Sequence, residues 1–433
     1  MKVLFVTDYF PPVAPGGAEW SNYYQLSNLA QRGVSLGLAT IGHGPTPLPI
    51  DGVSVFSMPI PFKLPPGQRI HRQGVLENIL FHAGYARFVR RTARVFRPDV
   101  IHAQSKNSLP AAAWAAQRLH IPLVFTLRDI GLACPFGMCF VNGRERCDDF
   151  SLFKLLGSCS SFLIDRYTPG GILQTLKVKL LALVLWPDTK LKQFCLKRVD
   201  WLISPSRGLL EAYPPSLLPS PERREIIPHF PPPPHKEAPA SSGLAFLSPL
   251  KGKRFVLYAG KLSLGKGTYT LIEAIKNIAP KHPDVSYVFI GKGTLKDRNA
   301  PHTYFFDSIP HSDLLDVMRQ AEIVVVPSIV PEAYNRVALE AMDAGKPVIA
   351  ARSGSLPEQV KDKITGLLFS PGRTDELARA LDALLSSPSQ AHDMGKAGKD
   401  HISTIHSNEK ILTLLTSLYS KATAPYSELR PSQ

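Results

Sequence analysis

Short uninterrupted apolar runs alternate with stretches in which apolar residues return every three or four positions, in two series along the 433 residues. The first series opens with Val3, Leu4, Phe5 and Val6, a run suited to a buried strand. A Pro-rich and Gly-rich turn follows, then a helical pattern from about 19 to 31 that Gly33 stops. Further strands are predicted at 36–39, 99–102, 123–127 and 201–204, with helical patterns near 78–96 and 108–118. The second series predicts strands at 255–258, 287–290, 323–327 and 347–350 and helices at 268–279, 312–319, 336–344 and 374–386. Strands buried on both faces read as continuous apolar runs, and strand–helix alternation builds a parallel sheet with helices on both faces. The pattern therefore predicts an α/β protein of two doubly wound, Rossmann-like parallel-sheet domains.

Between Pro214 and Pro249 the pattern gives way to repeated prolines, a composition that stiffens and exposes the chain. The predicted organisation is a first domain at 1–215, a linker at 216–250, a second domain at 251–405, and a helix at about 408–421 within a final segment, 406–433. That helix lies beyond the last strand signal and is free to pack back on the first domain. One stretch breaks the order: Gly171 to Trp186 is unusually apolar, interrupted only by Lys177 and Lys179. It suits a helix lying in a membrane interface as well as it suits a buried core helix.

Composition narrows the class. Hydrophobic residues make up 44% and charged residues 20%, and the amino-terminal apolar run ends at Thr7 and Asp8, too short for a signal peptide. The expectation is a cytoplasmic protein. Cys134, Cys139, Cys147 and Cys159 cluster in one 26-residue segment. Their wide spacing departs from that of structural zinc sites, so a reduced irregular loop stands beside metal binding as a reading. The net charge of +15 is uneven: residues 1–235 hold 26 Lys and Arg against 15 Asp and Glu, and the rest hold 24 against 20. A basic first half attracts polyanions without distinguishing among them, so the chemistry must choose the partner.

Two carboxylates supply that chemistry. Glu332 and Glu340, with seven residues between them, flank the start of the helix that follows the 323–327 strand, where open parallel sheets bind ligands. Carboxylates accept from hydroxyls and helix-start amides donate to anionic oxygen, so the pair suits a ligand carrying both, such as a nucleotide sugar. The segment from Tyr258 to Thr268 adds a strand end, a Gly-rich loop and a helix start: Gly260 permits close backbone approach, and Lys261 and Lys266 bring cations. The loop nearly matches a phosphate-binding P-loop. It fails where a magnesium-holding Ser or Thr belongs, because Gly267 stands there and Thr268 comes one place late. A P-loop-like nucleotide hydrolase is the weaker reading.

Taken in order, these segments resemble the retaining glycosyltransferases of family 4, which have the GT-B fold, two such domains facing across a cleft. The resemblance runs over nearly the whole chain: the loop at Gly16 and Gly17, Pro98 to Ala103, Tyr258 to Lys261 with Lys266 and Gly267, Val288 to Gly293, the Glu332–Glu340 segment, and Gly354 to Val360. It implies that the second domain binds a nucleoside-diphosphate sugar, a UDP-sugar or GDP-sugar, with Glu332 on the sugar hydroxyls and Glu340 on the ribose. Lys266 and Lys261 neutralise the diphosphate, and Gly16 and Gly17 approach it from the first domain. Gly260, Gly291, Ala333, Tyr334 and Asn335 join the substrate-binding set. No metal or other cofactor is expected. Lys261 stands where the family usually has Arg, and Asn335 where Gly is common; Asn tolerates a left-handed backbone, so that turn is expected to persist. Arg128 stands where many relatives have His, and Arg cannot act as a base. It is expected to contact acceptor or donor phosphate, with Asp129 orienting it and His102 nearby.

The resulting expectation is a retaining glycosyltransferase moving a sugar to a saccharide or lipid-linked hydroxyl acceptor, in surface polysaccharide or glycolipid synthesis. Its basic first domain meets an anionic cytoplasmic membrane face, and no nucleic acid is a partner. A non-catalytic nucleotide-sugar-binding protein of the same fold is the alternative that Arg128 favours.

Overall fold

The computed structural model describes the chain apart from residues 14–16, 43–45, 60–74, 135, 137–139, 142–144, 147–150, 162–170, 232–249, 251, 294–298, 406 and 425–433. The chain divides into two compact units. One comprises Met1–Pro205, Leu209–Pro232 and Asn408–Gln433, the other Ser206–Gly208 and Pro233–Ser407.

The first unit holds β1 (Lys2–Val6), β2 (Ser35–Gly42), β3 (Val53–Pro59), β4 (Val100–Ala103), β5 (Leu123–Thr126), β8 (Trp201–Ser204) and β9 (Arg224–Ile226), and a small antiparallel pair, β6 (Phe140–Val141) with β7 (Glu145–Arg146). The seven strands form a wholly parallel sheet in the order β3-β2-β1-β4-β5-β8-β9. Every residue of β4 and β5 is buried, which explains why those strands read as unbroken apolar runs. The helix Asn408–Thr423 belongs to this unit. Its Ile411, Leu415, Leu418 and Tyr419 pack in one core with Val3, Phe5, Leu26 and Ile203.

The predicted linker at 216–250 needs correction at its first end. Arg224–Ile226 pairs in parallel with β8 as the sheet's last strand, so the first unit extends past residue 215. Prolines at 219, 221 and 228 disguised it, yet proline is tolerated around an edge strand, where one side of the backbone needs no ladder bond. The apolar stretch predicted to end at Trp186 continues as one helix, Ile172–Leu196, through Pro187. Only one face of it is buried, through Val178, Ala182, Thr189, Gln193 and Leu196, so it is not an all-round core helix. Among the described residues no helix is long and apolar enough to cross a membrane.

The second unit is a parallel sheet of β10 (Arg254–Ala259), β11 (Val285–Ile290), β12 (Thr303–Phe306), β13 (Ile323–Val326), β14 (Val348–Ala351) and β15 (Gly366–Phe369), in the order β12-β11-β10-β13-β14-β15. Alternate strand residues feed two cores. Val256, Tyr258, Phe289 and Val325 point to one face, and Phe255, Leu257, Val288 and Val324 to the other. Counted within each unit, the strands run 3-2-1-4-5 onward, so each sheet reverses its order once, between β1 and β4 and between β10 and β13. Such reversals are the ligand-binding positions of doubly wound sheets.

Candidate functional site

At the reversal of the second unit, β10 runs into Gly260, Lys261 and Leu262, then the short turn Leu264–Lys266 and the helix Thr268–Ile278. The loop after β13 is bonded onto that turn: the N–H groups of Ile329 and Val330 donate to the Gly265 carbonyl at 2.9 and 3.0 Å. The approach leaves no room for a side chain at Gly267, which has φ +71° and whose Cβ would lie 1.7 Å from the Pro327 carbonyl oxygen. A magnesium-holding Ser or Thr cannot stand there. Thr268 is turned inward instead, its hydroxyl accepting from the Ser263 N–H at 3.2 Å. The hydrolase reading thereby loses the residue its metal requires.

The same close approach brings Lys266 to Glu332. Lys266 Nζ donates to Glu332 Oε1 at 2.7 Å, and the Ser328 hydroxyl donates to the same oxygen. Glu332 is buried, so this compensation is needed to keep a carboxylate there. Among the described residues nothing is bonded to Oε2. The backbone of Glu332 is held by a bridge to Gly354 and by the Ser355 N–H, which donates to its carbonyl at 2.9 Å.

Glu340 lies in the second turn of the helix Arg336–Asp343, buried, and forms a separate ion-pair system. Arg336 Nη2 and His311 Nε2 both bond to its Oε1 at 2.9 Å, again leaving Oε2 without a protein partner among the described residues. Glu332 and Glu340 thus share no bonded partner, although each keeps one oxygen available to accept from a ligand hydroxyl. The loop between them is rigidly held. Asn335 caps the helix, its side chain accepting from the Ala338 N–H at 2.9 Å, while Gln359 bonds both the N–H and the carbonyl of Asn335 at 3.1 Å. Asn335 has φ −87°, so the expected left-handed turn is absent: Asn serves here through its capping oxygen. Ala333 is buried, and burial raises the pKa of the half-buried Tyr334 phenol.

Gly260 and Gly291 end β10 and β11 side by side, and a Cβ on Gly291 would meet the Gly260 carbonyl oxygen at 1.9 Å. Two adjoining strands therefore depend on glycine where they open toward the site. Lys261 is exposed, and its carbonyl accepts from the Tyr258 hydroxyl at 2.8 Å.

The first unit opens a cavity of about 280 Å³ at its own reversal, lined among others by Asp8, Glu19, Gln104, Arg128, Asp188 and Lys192. Its polar groups form a chain. Asn107 donates to Asp8 at 3.0 Å and accepts from Lys192 at 2.7 Å, Lys192 donates to Asp188 at 2.6 Å, and Asp188 meets His82 Nε2 at 3.0 Å. Burial works to raise the Asp188 carboxyl, but the bonds from His82 and Lys192 outweigh it and hold its pKa at about 2. Burial draws the Lys192 ammonium below its ordinary range against the attraction of Asp188.

Arg128 is clamped in the same cavity. Nη1 donates to His229 Nε2 at 2.7 Å, and Nη2 donates to Asn22 Oδ1 and Gln104 Oε1. Burial lowers its pKa to about 10, with Glu19 and Tyr419 opposing, so it remains a fixed cation at neutral pH. Asp129 is exposed and engages Lys106 Nζ at 3.1 Å and the Gly131 N–H at 2.6 Å, while Asn22, Gln104 and His229 hold the Arg128 guanidinium. His102 lies within the core. It is fully buried, with Nδ1 bonded to the Tyr419 hydroxyl at 2.7 Å and Nε2 to Thr126 at 2.8 Å, and burial followed by the Arg128 charge holds its pKa well below the usual histidine range. A neutral core histidine with both nitrogens engaged has no face for a substrate.

Gly17 opens the helix Gly17–Gln31, and Gly16 lies outside the described residues. So do Cys139 and Cys147, whereas Cys134 is buried and Cys159 half-buried. Among the described residues no group of three or more His, Cys, Asp and Glu is arranged to hold a metal. Asp8, His82, Asp188, Lys192, His311 and Gln359 were not anticipated from the sequence. Of these only Asp8, directly after the first strand, carried a positional signal.

Comparison with known proteins divides the chain as the sheets do. Residues 16–229 match a glycosyl transferase 4-like domain, and residues 246–401 match the glycosyl transferases group 1. A D-inositol 3-phosphate glycosyltransferase of Corynebacterium glutamicum (strain R) is 36% identical over 186 residues, 40% of this chain and 44% of that protein. The chain thus spans less than half of that relative's length. Sucrose-phosphate synthase from Thermosynechococcus elongatus superposes with a TM-score of 0.69 at 18% identity, covering 98% of this chain and 99% of the other. Anabaena HepE, solved in complex with UDP and glucose, superposes with a TM-score of 0.65 at 20% identity, covering 97% and 99%.

Proposed function

The chain belongs to the GT-B glycosyltransferases, and on that premise we propose that it transfers a sugar, with retention, from a UDP-sugar or GDP-sugar to a hydroxyl acceptor. The observation that carries the reading is the Lys266–Glu332 pair at the switch point of the second unit, beside the start of the helix Thr268–Ile278. A nucleoside-diphosphate sugar matches this site group by group. Its diphosphate suits Lys266, Lys261 and the helix-start amides, its sugar hydroxyls suit Glu332 Oε2, and its ribose suits Glu340 Oε2.

In the proposed reaction the bond from the anomeric carbon to the leaving phosphate oxygen breaks. The acceptor oxygen bonds to that carbon on the same face, and the acceptor proton passes to the leaving phosphate oxygen. Negative charge gathers on the diphosphate as the bond breaks, so fixed protein cations stabilise the transition state more than the bound donor. We assign this charge to Lys261 and Lys266 without a metal, and activity should survive chelation with EDTA. Arg128 is a fixed cation that orients substrate and takes no proton. The acceptor reading is a lipid-linked or saccharide hydroxyl, at the cytoplasmic membrane face in surface polysaccharide or glycolipid synthesis. The +11 balance of residues 1–235 supports it.

Thermal-shift screening against UDP-glucose, GDP-mannose and ATP, followed by product NMR, tests the proposal. A shift with a sugar nucleotide and a product keeping the donor's anomeric configuration is the expected result. A preference for ATP would overturn the donor assignment, an inverted product would overturn retention, and donor binding with no transfer to any acceptor would leave the non-catalytic alternative that Arg128 favours.

A further inference from the structure

The helix Ile172–Leu196 turns an apolar face to solvent as well as to the core. Ile172 is 81% exposed, Leu173 78%, Leu176 61% and Leu180 63%, with Leu181 and Leu183 close behind. Leu173, Leu176, Leu180 and Leu183 recur at three- and four-residue steps, so they form a stripe along one side, opposite the buried Val178 and Ala182. Phe153 is 89% exposed as well. A run of exposed leucines this long on a protein surface marks a contact site.

Charge selects the occupant. Lys177 and Lys179 are exposed among the leucines, and no Asp or Glu occurs between Gly171 and Pro187. The first acid of the helix, Asp188, is half-buried and engaged by His82 and Lys192. A second copy of the helix would bring lysines against lysines with no carboxylate to offset them. An anionic lipid surface accepts the leucines into its acyl layer while its headgroups meet the lysines. The stripe also continues past Trp186 to Leu191 and Phe194, which edge an apolar groove of about 380 Å³ with Trp114 on its wall and Arg87 and Arg198 beside it.

We propose that the first half of the helix Ile172–Leu196 docks the first unit onto an anionic bilayer. This deepens the lipid-linked acceptor reading by naming the surface that meets the membrane, and vesicle binding can be measured without any transfer. The test is sedimentation of the full-length protein with vesicles of phosphatidylglycerol and phosphatidylcholine, and with phosphatidylcholine alone. The protein should pellet with the anionic vesicles at least tenfold more strongly than with the neutral ones. The triple variant Leu176→Ser, Leu180→Ser, Leu183→Ser should lose at least tenfold of that binding, as should Lys177→Glu with Lys179→Glu. Because all five side chains are exposed, both variants should keep the wild-type melting temperature and the thermal shift with a sugar nucleotide. Equal sedimentation of wild type and both variants overturns the proposal, and so does a wild-type dimer that the leucine variant abolishes without any vesicle binding. Loss of vesicle binding with an intact sugar-nucleotide shift supports it, and a missing shift in the wild type counts against the transfer reading alone.

Discussion

The two switch points rest on the same strand order but hold their polar groups by different means. In the second unit, backbone fits against backbone: Gly267 under Pro327, Gly291 against Gly260, Gly354 against Glu332, with the Lys266–Glu332 pair set on top. In the first, side chains from distant segments hold one another, from Asp8 through Asn107, Lys192 and Asp188 to His82, while Arg128 is fixed by three further residues. Backbone contacts without side chains leave little that can drift, which suits a site for one recurring group such as a diphosphate. Side-chain networks can be rebuilt residue by residue, so a single substitution can reshape such a pocket.

Breaking the ion pair of the second unit should have the largest consequence. Glu332→Gln keeps the shape and the bond from Ser328 but removes the charge facing Lys266, and turnover should fall about 10³-fold, roughly 4 kcal/mol, with little change in melting temperature. Steady-state kinetics decide it, and a loss of less than tenfold would remove Glu332 from the reaction. Gly267→Ala tests the backbone fit itself. Strain at positive φ plus the collision with the Pro327 carbonyl should lower unfolding free energy by about 3 kcal/mol in denaturant titration, and weaken donor binding with it. In the first unit, Lys192→Met leaves the half-buried Asp188 with only His82, and a cost of about 2 kcal/mol is expected; a neutral result would mean that the network is not held by charge.

The smallest expected effect concerns pH. His102 has a folded pKa well below its unfolded value of about 6.5, so the unfolded chain takes up the proton first as pH falls. Its contribution is complete above that value and is lost below it, at up to about 1.4 kcal/mol per pH unit. Denaturant unfolding at pH 7 and pH 5 should show the decline in wild type and a flatter profile in His102→Gln. Equal slopes would show that His102 takes up its proton as readily in the folded chain.

Legibility followed the same division. The Glu332–Glu340 segment and the Tyr258–Thr268 loop are contiguous, so residue types and spacing alone point to the second site, and the buried strands of both sheets appear as apolar runs. The Lys192 chain draws on four segments between residues 8 and 192, and beyond the four-residue helical step from Asp188 to Lys192 no spacing rule joins them. β3, β9, β12 and β15 do not show as apolar runs because they are partly exposed and lack unbroken burial. His102 and Asn335 have hydrogen-bonding uses within the fold that residue type alone does not show: a core bond to Tyr419, and a helix cap. The stretch beginning at Gly171 was noticed for its apolarity, but sequence could not say which side faced outward.

The helix Asn408–Thr423 lies within the first unit's core, although almost the whole of the second unit is encoded between them. During synthesis the second unit can therefore close while the first still waits for its last core residues to leave the ribosome. The amino-terminal domain is finished last, against the usual order in which domains fold as they emerge. A chain stopping short of residue 419 would leave the hydrophobic seat of that helix uncovered and His102 without its Tyr419 bond.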